Sequence, residues 1–255
     1  MSTNLQKLMA RHESNKSKYS NGDKKNKDKF EFLDLRRDLP DGETTLRVIP
    51  AAGNDPRDTF IFRGKHRGLK PPNKWKLKED PNAEDGPLTC NVIFFEKDDP
   101  DAYCLACNLC DKLSDESDTD LREMAKFHEP IPVVYFNAVI VGDPEQKVYV
   151  ATTTNKDIIN TIDGWIDNSG QGKDFEHYEY MHPKLGKTLK IHKESKERKD
   201  GKVTVDLNIQ VSQKVLPLST ELLEKHQGID KILKQVPDEE VHGYLADKYP
   251  DFVDG

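Results

Sequence analysis

What most constrains this chain is a cluster of residues suited to metal binding between positions 60 and 110. All four cysteines, Cys90, Cys104, Cys107 and Cys110, fall in the second half of that stretch, and His66 falls in the first. They make two overlapping C-x-x-C pairs, Cys104–Cys107 and Cys107–Cys110. A pair spaced this way can turn both thiolates onto one ion, and zinc takes four N or S ligands in a tetrahedron. His66 and Cys90 complete such a set with Cys107 and Cys110, while Cys104 competes for a place. Residues 60–78 also carry Arg63, Lys65, Arg67, Lys70, Lys74, Lys76 and Lys78 with no acid among them, interleaved with Phe60, Phe62 and Trp75. A metal knot bearing a basic, aromatic arm is the main functional clue.

A length of 255 residues suits one large domain or a domain with an inserted subdomain. Hydrophobic content is 35% against 33% charged, which implies a compact core with long appendages. There is no run of eighteen apolar residues, so a helical membrane span is not expected. The first residues, MSTNLQKLMARHESNKSKYS, lack an apolar segment and do not read as a secretory signal. Clustered cysteines in an unsecreted protein read as metal ligands in a reducing cytoplasm rather than as disulfides. The net charge of −7 hides a polarity: residues 1–30 hold eight bases and three acids, residues 219–255 four bases and nine acids. Such ends suit a basic arm for polyanions and an acidic end that repels or mimics them, or simply two solvated tails.

Residues 3–13 have the stripe of a short helix, and residues 14–29 are lysine-rich and flexible by composition. Strands are expected at 30–35 and 43–49, flanking the turn signal LPDG, and again at 58–63. A helix over about 118–127 should stop before Pro130. The segment PVVYFNAVIVGD follows, with Val134, Phe136, Ala138 and Ile140 inward and Tyr135 and Asn137 towards an open cleft. QKVYVAT is the next strand, with Lys147 and Tyr149 outward. A helix over about 155–167 opens on a capping-box variant, Thr154 with Asp157, and buries Ile158, Ile159, Ile162, Trp165 and Ile166. A long hairpin pairs 187–193 with 201–211, its tip basic and closed by Asp200-Gly201. Two helices, about 219–235 and 238–248, end the pattern.

Many short strands with period-two alternation and few helices predict a mainly β fold. A Greek-key antiparallel barrel of the oligonucleotide-binding kind fits, since its open face and loops hold single strands. Binders of that kind line a groove with Lys and Arg for phosphates and aromatic faces for bases. The candidate contacts are Arg47, Tyr135, Lys147 and Tyr149 on the strands, and Lys190 and Lys193 on the hairpin. Lys65, Arg67, Lys70, Lys74, Trp75 and Lys76 are the candidates in the basic arm.

These residues resemble a known family, the helix-destabilising single-stranded DNA-binding proteins of T-even-type bacteriophages. LQKLMARHESNKSKYSN is similar to the family's N-terminal arm, and TTLRVIP with the basic KW-containing sequence after it resembles the first half of its core. YFNAVIVGDPEQKVYVATTTNKDIINTIDGWI resembles its next strand pair and helix, and GKTLKIHK with LNIQVSQKVLPLS its closing hairpin. The likeness covers residues 4–220. It implies an oligonucleotide-binding barrel over 30–218, a zinc subdomain inserted at about 64–129, and a basic cleft for single-stranded DNA. It implies one structural zinc held by one His and three Cys ending in a C-x-x-C that opens a helix, which favours Cys107–Cys110 because CDKL continues into one. It further implies self-association along DNA through residues 1–29, and a role in phage DNA replication, recombination and repair in the bacterial host's cytoplasm. The family's long acidic, serine-rich tail, which recruits replication partners, is represented here only by the short acidic 219–255.

Enzymatic readings are weak. His177-Tyr178-Glu179 has the H-x-E of zinc deaminases, but it follows the cysteines and no Pro-Cys-x-x-Cys comes after it. LGKT at 185–188 has Met181 where a phosphate-binding loop needs its first glycine. A closed four-ligand zinc site leaves no position for a substrate. The remaining alternative is a zinc-containing RNA-binding or adaptor protein with no strand-coating role.

Overall fold

The computed structural model describes residues 31–51, 59–69, 88–90, 104–168, 181–198, 200–226, 229 and 238–253. The chain forms two compact units: residues 1–61 with 134–229, and residues 62–133 with 230–255. Where the sequence placed an insertion at about 64–129, the boundaries fall at 61/62 and 133/134, and residues 230–255 group with the inserted unit.

The first unit is built on strands β1 (Phe32–Asp34), β2 (Gly42–Ile49), β5 (Pro130–Ile140, from Val134 onward), β6 (Val148–Thr153), β7 (Lys187–Glu197) and β8 (Val203–Val215). Their order in the sheet is β1-β6-β5-β2-β7-β8. β1 runs parallel to β6, and the other neighbours are antiparallel. The fold is thus mainly β with a mixed sheet. Among the described residues β1 and β8 end the strand path unpaired with each other, so the sheet is open there. The turn signal after β1 does not make a hairpin with β2. Asp34 instead closes a local turn, accepting from the amides of Arg36 and Arg37, and β1 is left to join β6.

β5 departs from its expected one-sided burial. Val133 through Ile140 are all buried, odd and even positions alike, as suits a central strand covered on both faces. On the even face Phe136 meets Phe60, ring centroids 5.2 Å apart. On the odd face Val139 joins Ile49, Val148 and Leu218 under Leu222 of a short helix, α4 (Thr220–Glu224). Helix α3 (Lys156–Asn168) buries Ile158, Ile159 and Ile162 as its apolar spacing requires. Its cap is Asn155, whose Oδ1 accepts from the Ile158 amide at 3.0 Å, rather than the expected Thr154. The side chains of Trp165 and Ile166, like residues 3–29, lie outside the described residues.

The second unit holds β3 (Ile61–His66, from Phe62 onward), β4 (Leu88–Cys90), α1 (Leu105–Ser114), α2 (Thr119–His128) and α5 (Asp238–Lys248). β3 and β4 pair antiparallel, with Gly64 opposite Cys90 and His66 opposite Leu88. Asp118 caps α2 by accepting from the Asp120 amide at 2.8 Å, close to the start that the sequence implied. The core of this unit joins Leu69, Ala106, Leu109, Leu113 and Ala125 to Val241, Leu245 and Tyr249.

Candidate metal centre

Four side chains from three elements converge in the second unit. His66 ends β3, Cys90 ends β4, and Cys104 and Cys107 flank the start of α1. Their ligand atoms all lie within 4.8 Å of one another, and His66, Cys90 and Cys104 are buried. His66 Nε2 is 3.4 Å from Cys104 Sγ and 3.7 Å from Cys107 Sγ. The Sγ atoms of Cys90 and Cys107 are 3.5 Å apart. Ligands on one tetrahedral zinc are separated by ~3.8 Å between sulfurs and ~3.6 Å between sulfur and nitrogen, given its usual bond lengths. These three edges are within about 0.3 Å of that geometry.

The local structure explains why these residues meet. Cys104 is the N-cap of α1, with extended backbone (φ −142°, ψ 116°) and no capping hydrogen bond from its side chain. Its thiol is therefore turned to the same side as Cys107 one turn on. The first turn of α1 contains no acid, and its unsatisfied amides favour thiolates. Gly64 allows β4 to approach: a Cβ there would lie 2.8 Å from Cys90 Cβ and 2.9 Å from Pro130 Cβ.

His66 is oriented from behind. Its Nδ1–H donates to the main-chain carbonyl of His128 at 2.7 Å, which leaves Nε2 facing the sulfurs. A metal-binding imidazole needs this arrangement, with the far nitrogen fixed by an acceptor. Burial works against charge on His66, but hydrogen bonds with Cys104, Cys110 and Cys90 outweigh it and push its pKa up to about 12. The hydrogen bond between Cys104 and Cys107 drives the Cys104 thiol down and the Cys107 thiol up. A cluster that draws a proton onto imidazole and off a thiol is short of positive charge. A divalent cation supplies that charge and displaces the protons.

The sequence reading favoured Cys110 over Cys104 as a ligand, whereas the cluster whose ligand atoms lie within 4.8 Å of one another holds Cys104 and not Cys110. The helix does not open at Cys110; it opens at Leu105, so Cys104 and Cys107 share its first turn and Cys110 lies a turn further in. Cys110 is buried and still exchanges a hydrogen bond with His66. The signal was present in the apolar spacing of Ala106, Leu109 and Leu113, which starts the helix early.

The strand candidates for nucleic-acid contact are placed differently from expectation. Arg47 is fully buried in the first unit. Its Nε donates to Leu216 O at 2.7 Å, Nη1 to Val48 O at 2.9 Å and Nη2 to His182 O at 2.6 Å. Burial lowers it to about 10, so it stays charged at neutral pH and ties three backbone segments together. Lys193 is likewise buried, donating to Leu39 O at 2.6 Å. Tyr135 and Tyr149 are buried, because both faces of their strands are covered. Lys147 pairs with Glu31 and lies 5.8 Å from the Tyr149 ring centroid. Burial, with Asp143, Glu31 and Glu145 nearby, raises the pKa of the Tyr149 phenol, and acids in such numbers do not suit a phosphate groove. Lys190 pairs with Glu43 at 2.9 Å, and the hairpin tip offsets its bases internally through Lys196 with Glu194 and Asp206.

In the second unit Lys65 is partly buried on β3, while Arg67 is exposed, its guanidinium 5.5 Å from the Phe127 ring centroid. Lys70, Lys74, Trp75 and Lys76 lie outside the described residues, as do His177 and Glu179. Among the described residues no helix is long and apolar enough to cross a membrane. No protein-family model, curated protein or solved structure matches the chain.

Proposed function

We propose that this chain is a non-enzymatic single-stranded DNA-binding protein whose second unit is organised by one structural zinc ion on His66, Cys90, Cys104 and Cys107. The observation that carries the reading is the position of His66. It belongs both to the buried ligand cluster and to the run of seven bases without an acid in residues 60–78. An ion there anchors one end of a cationic, aromatic segment. All four coordination positions are filled by side chains, which suits structure rather than catalysis. The first unit's antiparallel run β6-β5-β2-β7-β8 has five strands, the number that an oligonucleotide-binding barrel uses, which supports the reading. Because Arg47, Lys193, Tyr135 and Tyr149 are buried, the reading assigns phosphate and base contacts to the basic segment instead of to those four side chains.

In this mechanism Lys and Arg of residues 63–78 neutralise phosphates and Trp75 offers a face to an unpaired base. Residues 1–29 pack neighbouring copies along the strand, and acidic residues near the end of the chain meet partner proteins. Preference for the single strand favours duplex melting by mass action. The resemblance to the T-even-type proteins supports a role in phage replication, recombination and repair.

The test is a salt titration of binding to oligo-dT, oligo-rU and duplex DNA, followed by tryptophan fluorescence. Tight binding to oligo-dT, weak binding to duplex, and affinity falling steeply with salt are expected. Lys65→Ser with Arg67→Ser should shallow the slope of log K against log salt by about 0.7 per contact removed. Equal binding to all three nucleic acids, or none, would favour an adaptor, and a preference for oligo-rU would favour an RNA-binding factor.

A further inference from the structure

The turn that presents His66 is held by the far end of the chain. His128, at the end of α2, has two ring bonds of fixed direction. Its Nδ1–H donates to Arg67 O at 2.7 Å, and its Nε2 accepts from the Tyr249 hydroxyl at 2.5 Å. Its own carbonyl is the acceptor for His66 Nδ1. Lys248, beside Tyr249, donates to Gly68 O at 2.9 Å. Three consecutive residues, His66, Arg67 and Gly68, are thereby tied to α2 and to the end of α5. Gly68 has φ +68°, and a Cβ there would lie 2.4 Å from Phe127 Cε1. From the ligand helix, Lys112 reaches across to Phe252 O at 3.0 Å. Below these bonds Val241, Leu245 and Tyr249 bury against Cys90, Cys104, Leu109 and Leu113.

We propose that residues 238–253 are a working part of the metal centre rather than a free acidic tail. Tyr249 and His128 are positioning residues that hold the His66 ring in its metal-binding orientation. Metal binding and docking of this segment are accordingly coupled. The coupling is reciprocal by linkage: whatever factor the docked segment adds to metal affinity, the bound metal adds to docking. The inference rests on the metal part of the proposed function and needs nothing from its nucleic-acid part.

The experiment uses the full chain with Zn2+ or Co2+ as the probe. A chelator competition gives affinity for the parent and for Tyr249→Phe, which keeps the buried ring and removes only the hydroxyl. Outer partners of metal-binding histidines typically contribute 10–100-fold in affinity, and this indirect partner should give a loss of roughly 10-fold. The absorption of the Co2+ form should change in the variant, which a simple loss of stability at saturating metal would not produce. Hydrogen exchange should show the amides of 241–249 protected with metal and faster without it, while those of β5 and β6 are unchanged. A Tyr249→Phe protein matching the parent in affinity, or amides of 241–249 indifferent to metal, would overturn the coupling and leave the metal site standing. A parent that takes up no metal would overturn both.

Discussion

A single hydroxyl or thiol can be decisive in the second unit because the ligand cluster is buried and closely spaced. Cys104→Ser should lower metal content per chain sharply, whereas Cys110→Ser should retain the ion with at most a modest loss of affinity; metal analysis after gel filtration distinguishes them. Loss in Cys110→Ser with the ion retained in Cys104→Ser would return the site to the arrangement read from the sequence. In the first unit the sensitive residue is Arg47. Replacement by Met leaves the carbonyls of Leu216, Val48 and His182 without their donor. The His182 carbonyl keeps the Gly186 amide at 2.8 Å, and each buried group left unsatisfied costs about 1–3 kcal/mol, so a loss of at least about 2 kcal/mol in urea unfolding is expected. Nucleic-acid affinity measured below the unfolding transition should be little changed, since the guanidinium is enclosed. Arg47→Lys should recover only part of the stability, because one ammonium cannot span three separate acceptors in the planar geometry of a guanidinium.

Among the elements, the contact between β3 and β4 is the least forgiving. Gly64→Ala places a methyl group within 3 Å of Cys90 Cβ and Pro130 Cβ, both on backbone-fixed positions. β4 must then move outward and take Cys90 with it. The expected result is weaker metal binding without loss of any ligand, read by the same chelator competition, whereas Gly201→Ala at the hairpin tip should leave metal affinity alone. How far such elements could be foreseen depended on whether local pattern or long-range pairing decided them. Ile158, Ile159 and Ile162 announced α3, and the alternation of Leu207 and Ile209 announced β8, because periodicity is a local property. The burial of Tyr135 and Tyr149 was not legible, since period-two alternation assumes one wet face. Here both faces of β5 and β6 are covered, one of them around Val139 and Val148 by a helix some seventy residues downstream, at Leu222. The parallel pairing of β1 with β6 was hidden for the same reason. His66 and the cysteines were visible as a set, but choosing among the cysteines required the true start of α1.

At the scale of the whole molecule, the two units draw on different sources of stability. The first has a core of its own, with Leu33, Leu46, Val48, Phe136, Leu189 and Ile191 all buried. The second is assembled from two separated stretches of chain, and its buried cluster is continuous with the ligand cysteines. Structural zinc contributes on the order of 10 kcal/mol to small metal-organised folds near neutral pH, comparable to the whole stability of a domain. Chelation should therefore expose the amides of α1, α2 and α5 to exchange while β2, β5 and β7 stay protected. Acid should do the same, because ligation requires deprotonated thiols and neutral imidazole, and protons compete for both. Metal-dependent stability is thus present near neutrality and lost as the pH falls. Restoring neutral pH with Zn2+ should return protection to all three helices together, whereas Mg2+, which prefers oxygen ligands, should not. If α5 regained protection on neutralisation without Zn2+, apolar packing alone would account for its docking, and the ion would be a passenger in a unit that folds without it.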